Sequence, residues 1–344
     1  MGRIRLEQAQ KELAIFLLVA FGLPFLMMLP MAVLAWQGKD VTVFAAAQMF
    51  YPAAGLMLAK LLCEQEKRLL PKTFFVAFLV MAGMMTLWCL AMFFFSEDVI
   101  FSGTSILSSV SSLVLICLYL SEKKDARMAY GLNGKNWRLS IVLFLLFVLL
   151  VFVSIGLFFT LGTTGDLSDG LSISYFYLTE TITVFPLAWC TSIPLLLGEE
   201  YGWRFYFQPM LQRRFGLRWG VLLFSLLWNV WHLSLVWFLW FPMVDLTLVQ
   251  FILTRLVFLT ALSIFMAYVY MRTNNVWLPT LVHGFVNSNP FFQKISMVQA
   301  EEKGLELLCS HWELLGIGTL ILAVLFVPFL FSNVFRKKTA GAET

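Results

Sequence analysis

Three short segments hold the residues whose types and spacing could do chemistry: GEEYGWR with Glu199, Glu200 and Arg204, WNVWHLSL with His232, and HGFVN with His283 and Asn287. On a helix, Glu200 and Arg204 are four apart and share one face in the favourable acid-before-base order, so they form an ion pair. Glu199 points about 100° away around the same helix and has Trp203 on its own face. One carboxylate is paired and the other is poised to act. His283 and Asn287 are also four apart, which puts a ring nitrogen and a side-chain amide about 6 Å from each other on one face, where both could donate to one oxygen. His232 has Trp228 one turn earlier, with Asn229 and Trp231 beside it. Hydrolysis needs a base for water, a partner for that base and donors for the oxyanion. Glu199 can be the base, His232 its partner, and His283 with Asn287 the oxyanion donors. No Ser or Cys in the set calls for a covalent nucleophile, so attack by activated water is the simpler chemistry. Singly, each segment has an ordinary reading: an interfacial Glu–Arg pair, an interior histidine among tryptophans, a His and Asn joining helices. It is their combination that points to catalysis.

The elements that must position these groups are membrane helices. Of 344 residues, 60% are hydrophobic and 13% charged, against roughly 45 to 50% and 25% in soluble domains, which excludes a soluble chain. Twenty-four Lys and Arg against 20 Asp and Glu leave a net charge of +4, too small and scattered for a nucleic-acid footprint, so the expected partner is the lipid bilayer. Cys63, Cys89, Cys117, Cys190 and Cys309 are spaced like small hydrophobes, not like a disulfide framework or metal site.

Ten apolar stretches are long enough to read as spans: about Leu13 to Trp36, Val41 to Leu62, Thr73 to Phe95, Val99 to Leu120, Leu139 to Leu161, Thr181 to Arg204, Trp219 to Trp240, Leu246 to Met271, Val276 to Phe292 and Trp312 to Val334. The first is longer than the apolar region of a signal peptide and contains Pro24 and Pro30, so it reads as a retained span. Twenty basic residues fall on the side of the termini, whereas only Lys39, Lys294 and Lys303 fall opposite, with Arg255 inside a span. The Lys and Arg excess predicts cytoplasmic termini. The expectation is an all-α polytopic bundle of about ten transmembrane helices, with the chemistry in spans six to nine, in the plasma membrane of a prokaryote. Residues 1–172 form the amino-terminal helices without a recognised site, 173–292 the active core, and 293–344 an outer loop, the last helix and a basic tail. No internal repeat or long linker is visible, and one compact helical domain is the economical reading. The segment Gly162 to Ser174, rich in Gly, Ser and Asp, reads as the longest outer loop.

An ionisable group at the centre of a membrane helix costs at least about 2.5 to 3.5 kcal/mol, so each one needs a reason. Spans one to five contain almost none, while spans six to nine contain Glu199, Glu200, Asn229, His232, Arg255, His283 and Asn287. His311 falls at the outer end of the tenth. Arg255, which follows Asp245 along the eighth span, needs an acceptor such as Glu180, Glu199 or a backbone carbonyl. A structural pair is favoured for it over a role as anchor for a substrate carboxylate. Ideal rise sets Glu199 about 8 Å, His283 about 16 Å and His232 about 20 Å deep. Straight upright helices would not bring them together. The expected remedy is that spans seven and nine begin above the core and tilt, with the basic, amphipathic YFQPMLQRRFGLR lifted into the interface and Arg204 at the inner boundary.

The ordered set Glu199-Glu200-x-x-x-Arg204, an aromatic Trp228 four before His232, and His283-x-x-x-Asn287 resembles the CPBP intramembrane proteases, glutamic-type relatives of the Rce1-type CAAX endopeptidase. The likeness covers about Phe185 to Ser288. It implies an all-helical peptidase with a cavity open to the cytoplasm and no obligatory metal or other cofactor. By resemblance, Glu199 and His232 activate water, Glu200 and Arg204 support the site, and His283 with Asn287 stabilises the oxyanion. Trp228 stands where the family often has Phe, and Phe205 where many relatives carry a small residue, which would narrow the mouth of the cavity. The expected substrate is a peptide or membrane-protein tail.

Three rival readings remain open. A zinc enzyme could draw on Glu and two His, although HExxH is absent. A transporter would also bury charges, against which count the lack of repeats and of broken-helix signals. A non-catalytic immunity or scaffold protein of the same fold would keep the residues for binding alone.

Overall fold

The computed structural model describes residues 2–65, 67–240, 246–292 and 312–336. His311, Cys309, Asp245, Lys294, Lys303, Lys337 and Lys338 lie outside the described residues, and so do the outer loop that follows span nine and the basic tail. All regular structure among the described residues is helical. In chain order it comprises α1 (Gly2–Leu17), α2 (Leu23–Trp36), α3 (Val43–Cys63), α4 (Lys72–Leu90), α5 (Glu97–Ser121), α6 (Lys124–Ala129), α7 (Trp137–Phe159), α8 (Leu167–Thr191), α9 (Ile193–Glu200), α10 (Gln208–Phe215), α11 (Leu217–Leu235), α12 (Leu248–Thr273), α13 (Trp277–Ser288) and α14 (Trp312–Phe326). A π-helical turn, Leu18–Gly22, joins α1 to α2, and another, Tyr201–Phe207, joins α9 to α10.

Among the described residues, seven helical stretches are long and apolar enough to cross a membrane, and an eighth is formed if α8 and the run Ile193–Phe215 count as one broken span. The chain is a multi-pass membrane protein. The shorter apolar helix Leu315–Phe331 corresponds to the tenth stretch of the sequence, and α13 falls in the ninth. The twelve residues of α13 rise about 18 Å, well short of a hydrocarbon core of about 30 Å. Asn289 ends that helix, its Oδ1 accepting from the Phe291 and Phe292 backbone N–H groups at 3.0 and 3.3 Å. Its Nδ2 donates to Thr181 Oγ1 at 2.9 Å.

Two expectations are corrected here. Gly162 to Ser174 is not an extended loop: π-helical Thr160–Thr164 is followed almost at once by α8 at Leu167. Asp166 is the reason, because its Oδ1 accepts from Ser168 N at 2.7 Å and Asp169 N at 3.2 Å and so caps the new helix. The sixth span, in turn, is no straight helix from Thr181 to Arg204. It breaks at Ser192, and the two parts are bent by 81°. Pro194, in the first turn of α9, has no N–H with which to continue the hydrogen-bond ladder of α8, and suits the start of a new helix. The depth arithmetic built on a straight sixth span therefore does not apply. Broken-helix signals are also present after all, so their lack no longer counts against a transporter.

The described chain divides into two compact units, each discontinuous in sequence. The first takes in α1 to α6, Trp189–Tyr206 and Asn275–Thr280. Its centre is α3, two-thirds of whose residues are buried between α1, α4 and α9. Backbones meet closely along α3. A Cβ on Gly55 would lie 2.9 Å from the Phe16 carbonyl oxygen of α1. The second unit takes in Lys135–Ala188, Phe207–Asn274 and the residues from Leu281 on. Aromatic contacts tie it together: Phe147 of α7 meets Phe265 of α12 at 5.4 Å, Phe285 of α13 at 6.0 Å and Phe326 of α14 at 6.0 Å between ring centroids.

Candidate active site

The carboxylates are set by glycines. A Cβ on Gly198 would lie 2.3 Å from the Met49 carbonyl oxygen and 3.0 Å from Phe50 Cα, and one on Gly202 would lie 2.3 Å from the Pro52 carbonyl carbon. Only residues without side chains let α9 and the following turn lie backbone to backbone on α3, which is how small-xxx-small pairs join membrane helices. Glu199 and Glu200 sit between these two anchors. The break behind them is closed by α5, whose Ser108 hydroxyl donates to the Thr191 carbonyl at 2.7 Å. Away from water, such a freed carbonyl needs a donor from the protein.

All three charged side chains of this segment are buried: Glu199 is 3% exposed, Glu200 and Arg204 0%. Arg204 Nε donates to Glu200 Oε2 at 3.0 Å, the predicted pair one turn apart. One carboxylate oxygen of Glu199 and one of Glu200 lie within 4.8 Å of each other. Arg204 pairs with Glu200, so the second carboxylate has a fixed cationic partner one turn away. This is a spacing at which two carboxylates can act on one water or one cation. Trp203 is wholly buried and meets Phe16 and Phe21 at 5.9 and 5.6 Å.

The other predicted residues lie in the second unit, apart from Phe205, which belongs to the first. His232 on α11 is 9% exposed, and its Nδ1 lies 2.7 Å from the carbonyl oxygen of Trp228, one turn earlier. A carbonyl oxygen can only accept, so Nδ1 carries a proton, and in the neutral form of the ring Nε2 is the acceptor nitrogen. Trp228, 2% exposed, stands edge to face with both imidazoles, its ring centroid 5.3 Å from His232 and 6.3 Å from His283. The two histidines thus share one indole as a neighbour. His283 is buried, and Asn287, one turn on along α13, is exposed. Arg255 lies near enough to act electrostatically on His232, with its guanidinium 5.6 Å from the Phe251 ring. Asn229 spends its amide on its own helix, donating to the Ser225 carbonyl at 2.9 Å. Phe205 lies flat on Tyr201 at 5.0 Å between centroids and 3° between planes.

Sequence reasoning missed Gly198, Gly202 and Ser108. The G-x-x-x-G spacing around the two glutamates was a readable signal for the glycines. Nothing local marks Ser108.

The buried carboxylates and their arginine thus lie in the first unit, and the two histidines in the second. Comparison with known proteins gives the class: a family model described as Type II CAAX prenyl endopeptidase Rce1-like matches residues 179–289. That domain takes in Glu199, Glu200, Arg204, His232, Arg255, His283 and Asn287, and the chain is a multi-pass membrane protein carrying an Rce1-like domain of a peptidase family. No curated protein and no solved structure matches the chain.

Proposed function

We propose that the protein is an intramembrane endopeptidase that cleaves peptide bonds with water activated by Glu199. The observation that carries this reading is a buried carboxylate, Glu199, beside a second one already neutralised by Arg204, inside the Rce1-like domain. In this reaction Glu199 takes a proton from water as the water oxygen bonds to the scissile carbonyl carbon. His283 and Asn287 donate to the oxyanion. His232, its Nδ1–H held by the Trp228 carbonyl, accepts that proton from Glu199 through Nε2, which returns Glu199 to its carboxylate, and passes it to the leaving amine as the C–N bond breaks. Glu200 and Arg204 hold the charge balance. The reading extends to a cavity facing the cytoplasm and cytoplasmic termini, supported by the distribution of Lys and Arg. It also extends to a metal-independent reaction in a prokaryotic plasma membrane, on peptide tails whose prenylation is open.

Glu199→Gln keeps the shape and removes the base. Comparative peptidomics of membranes containing the wild-type or Glu199→Gln protein should show one set of termini lost in the variant. Unchanged termini, with wild-type cleavage of a reporter peptide by the purified variant, would sink the proposal. A phenotype that survives the substitution would point to the scaffold reading. Exhaustive chelation should leave cleavage intact, and its loss, restored by zinc, would return the metal reading.

A further inference from the structure

The segment between α5 and α7 makes two contacts that the reaction scheme does not use. The Tyr130 carbonyl accepts from the Tyr201 hydroxyl at 2.7 Å, and two residues on the Leu132 carbonyl accepts from Trp277 Nε1 at 2.7 Å. Tyr201 follows Glu200 directly. Trp277 is the first residue of α13, the helix that carries His283 and Asn287. Two carbonyls of one short segment, on either side of Gly131, therefore hold the residue beside the carboxylates and the first turn of the helix that carries His283 and Asn287.

The segment is shaped for this. Gly131 has φ +67°, a left-handed turn, and a Cβ there would lie 2.3 Å from two atoms of the Phe205 ring. Phe205 stacks on Tyr201, and Phe75 of α4 meets both Tyr130 and Tyr201, at 5.6 and 6.3 Å. Leu132 N and Asn133 N both donate to the Arg127 carbonyl, at 2.9 and 3.1 Å, which closes the loop on itself. The Arg127 guanidinium lies 4.6 Å from the Tyr119 ring, which in turn meets Trp277 at 5.3 Å. Tyr201 and Leu132 are wholly buried.

We propose that Tyr130, Gly131 and Leu132 form a positioning strap that fixes the rotation of the Glu199–Glu200 helix and the start of the His283–Asn287 helix. Tyr201 and Trp277 are its two anchor points. Phe205 presses on Gly131 and keeps the Tyr201 ring in register. The strap's effect on catalysis rests on the peptidase reading, whereas its mechanical part does not.

The test uses the full chain in lipid nanodiscs, with Tyr201→Phe and Trp277→Phe, each removing one donor while keeping a ring, and Gly131→Ala. Each single donor loss should lower kcat about two- to tenfold, the range of one hydrogen bond, with KM within twofold of wild type. Gly131→Ala should cost more, on the order of a hundredfold, because the Phe205 ring must move by about an ångström. Amide exchange should rise in 124–134 in all three variants, including at Leu132 and Asn133. Unchanged exchange in 124–134 would overturn the strap whatever the activity. Unchanged kcat in an active wild-type background would overturn it as a positioning device, as would a loss confined to KM. If even the wild type cleaves nothing while exchange rises as expected, the peptidase reading falls and the strap stands.

Discussion

Gly198→Ala tests whether backbone contact with α3 is what places the carboxylates. The new Cβ would sit 2.3 Å from the Met49 carbonyl oxygen, whereas ordinary contact begins at 3.4 Å. The obstacle is main chain within a buried helix, so no rotamer change relieves it and α9 must withdraw by about an ångström. Overpacking of this kind costs about 1 to 3 kcal/mol in stability. A 1 Å misplacement of a reacting group can cost on the order of 10²-fold in rate, so activity should suffer more than folding. The assay is thermal unfolding in detergent beside reporter-peptide cleavage per folded molecule. Gly83→Ala is the control: in α4, with nothing within 4 Å of its Cβ, it should be neutral or more stable by up to about 1 kcal/mol. A Gly198→Ala protein with wild-type rate and midpoint would refute the argument that close approach sets the site.

Other predictions follow from individual contacts. Arg204→Met strands the buried Glu200 carboxylate and should destabilise the fold by about 3 to 5 kcal/mol, most of it regained in Glu200→Gln/Arg204→Met; thermal unfolding of both variants reads this. Ser108→Ala removes the hydroxyl that donates to the Thr191 carbonyl and should cost about 1 to 3 kcal/mol, with faster amide exchange in 189–195. Asn287→Ala should lower kcat about 10²- to 10³-fold as an oxyanion donor. Asn229→Ala, whose amide serves only its own helix turn in the structure's hydrogen bonding, should leave kcat within about threefold of wild type, measured in the same cleavage assay.

How much of this was legible in the sequence depends on the range of each interaction. The Glu200–Arg204 pair is a matter of helix spacing, and four-residue spacing survives folding unchanged. The Trp228–His232 contact is likewise one turn of α11. Capping by Asp166 was also local, but an Asp in a Gly- and Ser-rich stretch reads equally well as a loop, so α8 began seven residues before the expected end of that loop, at Leu167. Pro194 was visible, yet a proline inside an apolar run can kink, start or break a helix, and the donor that makes a break tolerable, Ser108, lies 83 residues away. The strap carbonyls of Tyr130 and Leu132 are main-chain atoms and leave no mark on residue type at all. Gly131, on its left-handed turn, is their only trace.

The break at Ser192 bears on the choice between peptidase and transporter. Discontinuous membrane helices in transporters expose their ends, and the freed backbone groups become ligands for the transported solute or ion. Here the Thr191 carbonyl at the break accepts from the Ser108 hydroxyl, so this carbonyl is engaged by the protein itself. The carboxylates lie about two turns beyond the break, in the interior of a helical run that continues through Phe215. They are held there by Gly198, Gly202 and Arg204 and not by the broken end. A break used to aim a fixed pair of carboxylates fits a chemical site, where reacting groups must stay within a fraction of an ångström, better than a site that must release its ion at every cycle. If this is right, Ser108→Ala lowers cleavage by loosening the aim of Glu199 and produces no solute or ion flux in vesicles. Flux in the wild type that Ser108→Ala alters, with no peptide cleaved in either, would reverse the choice.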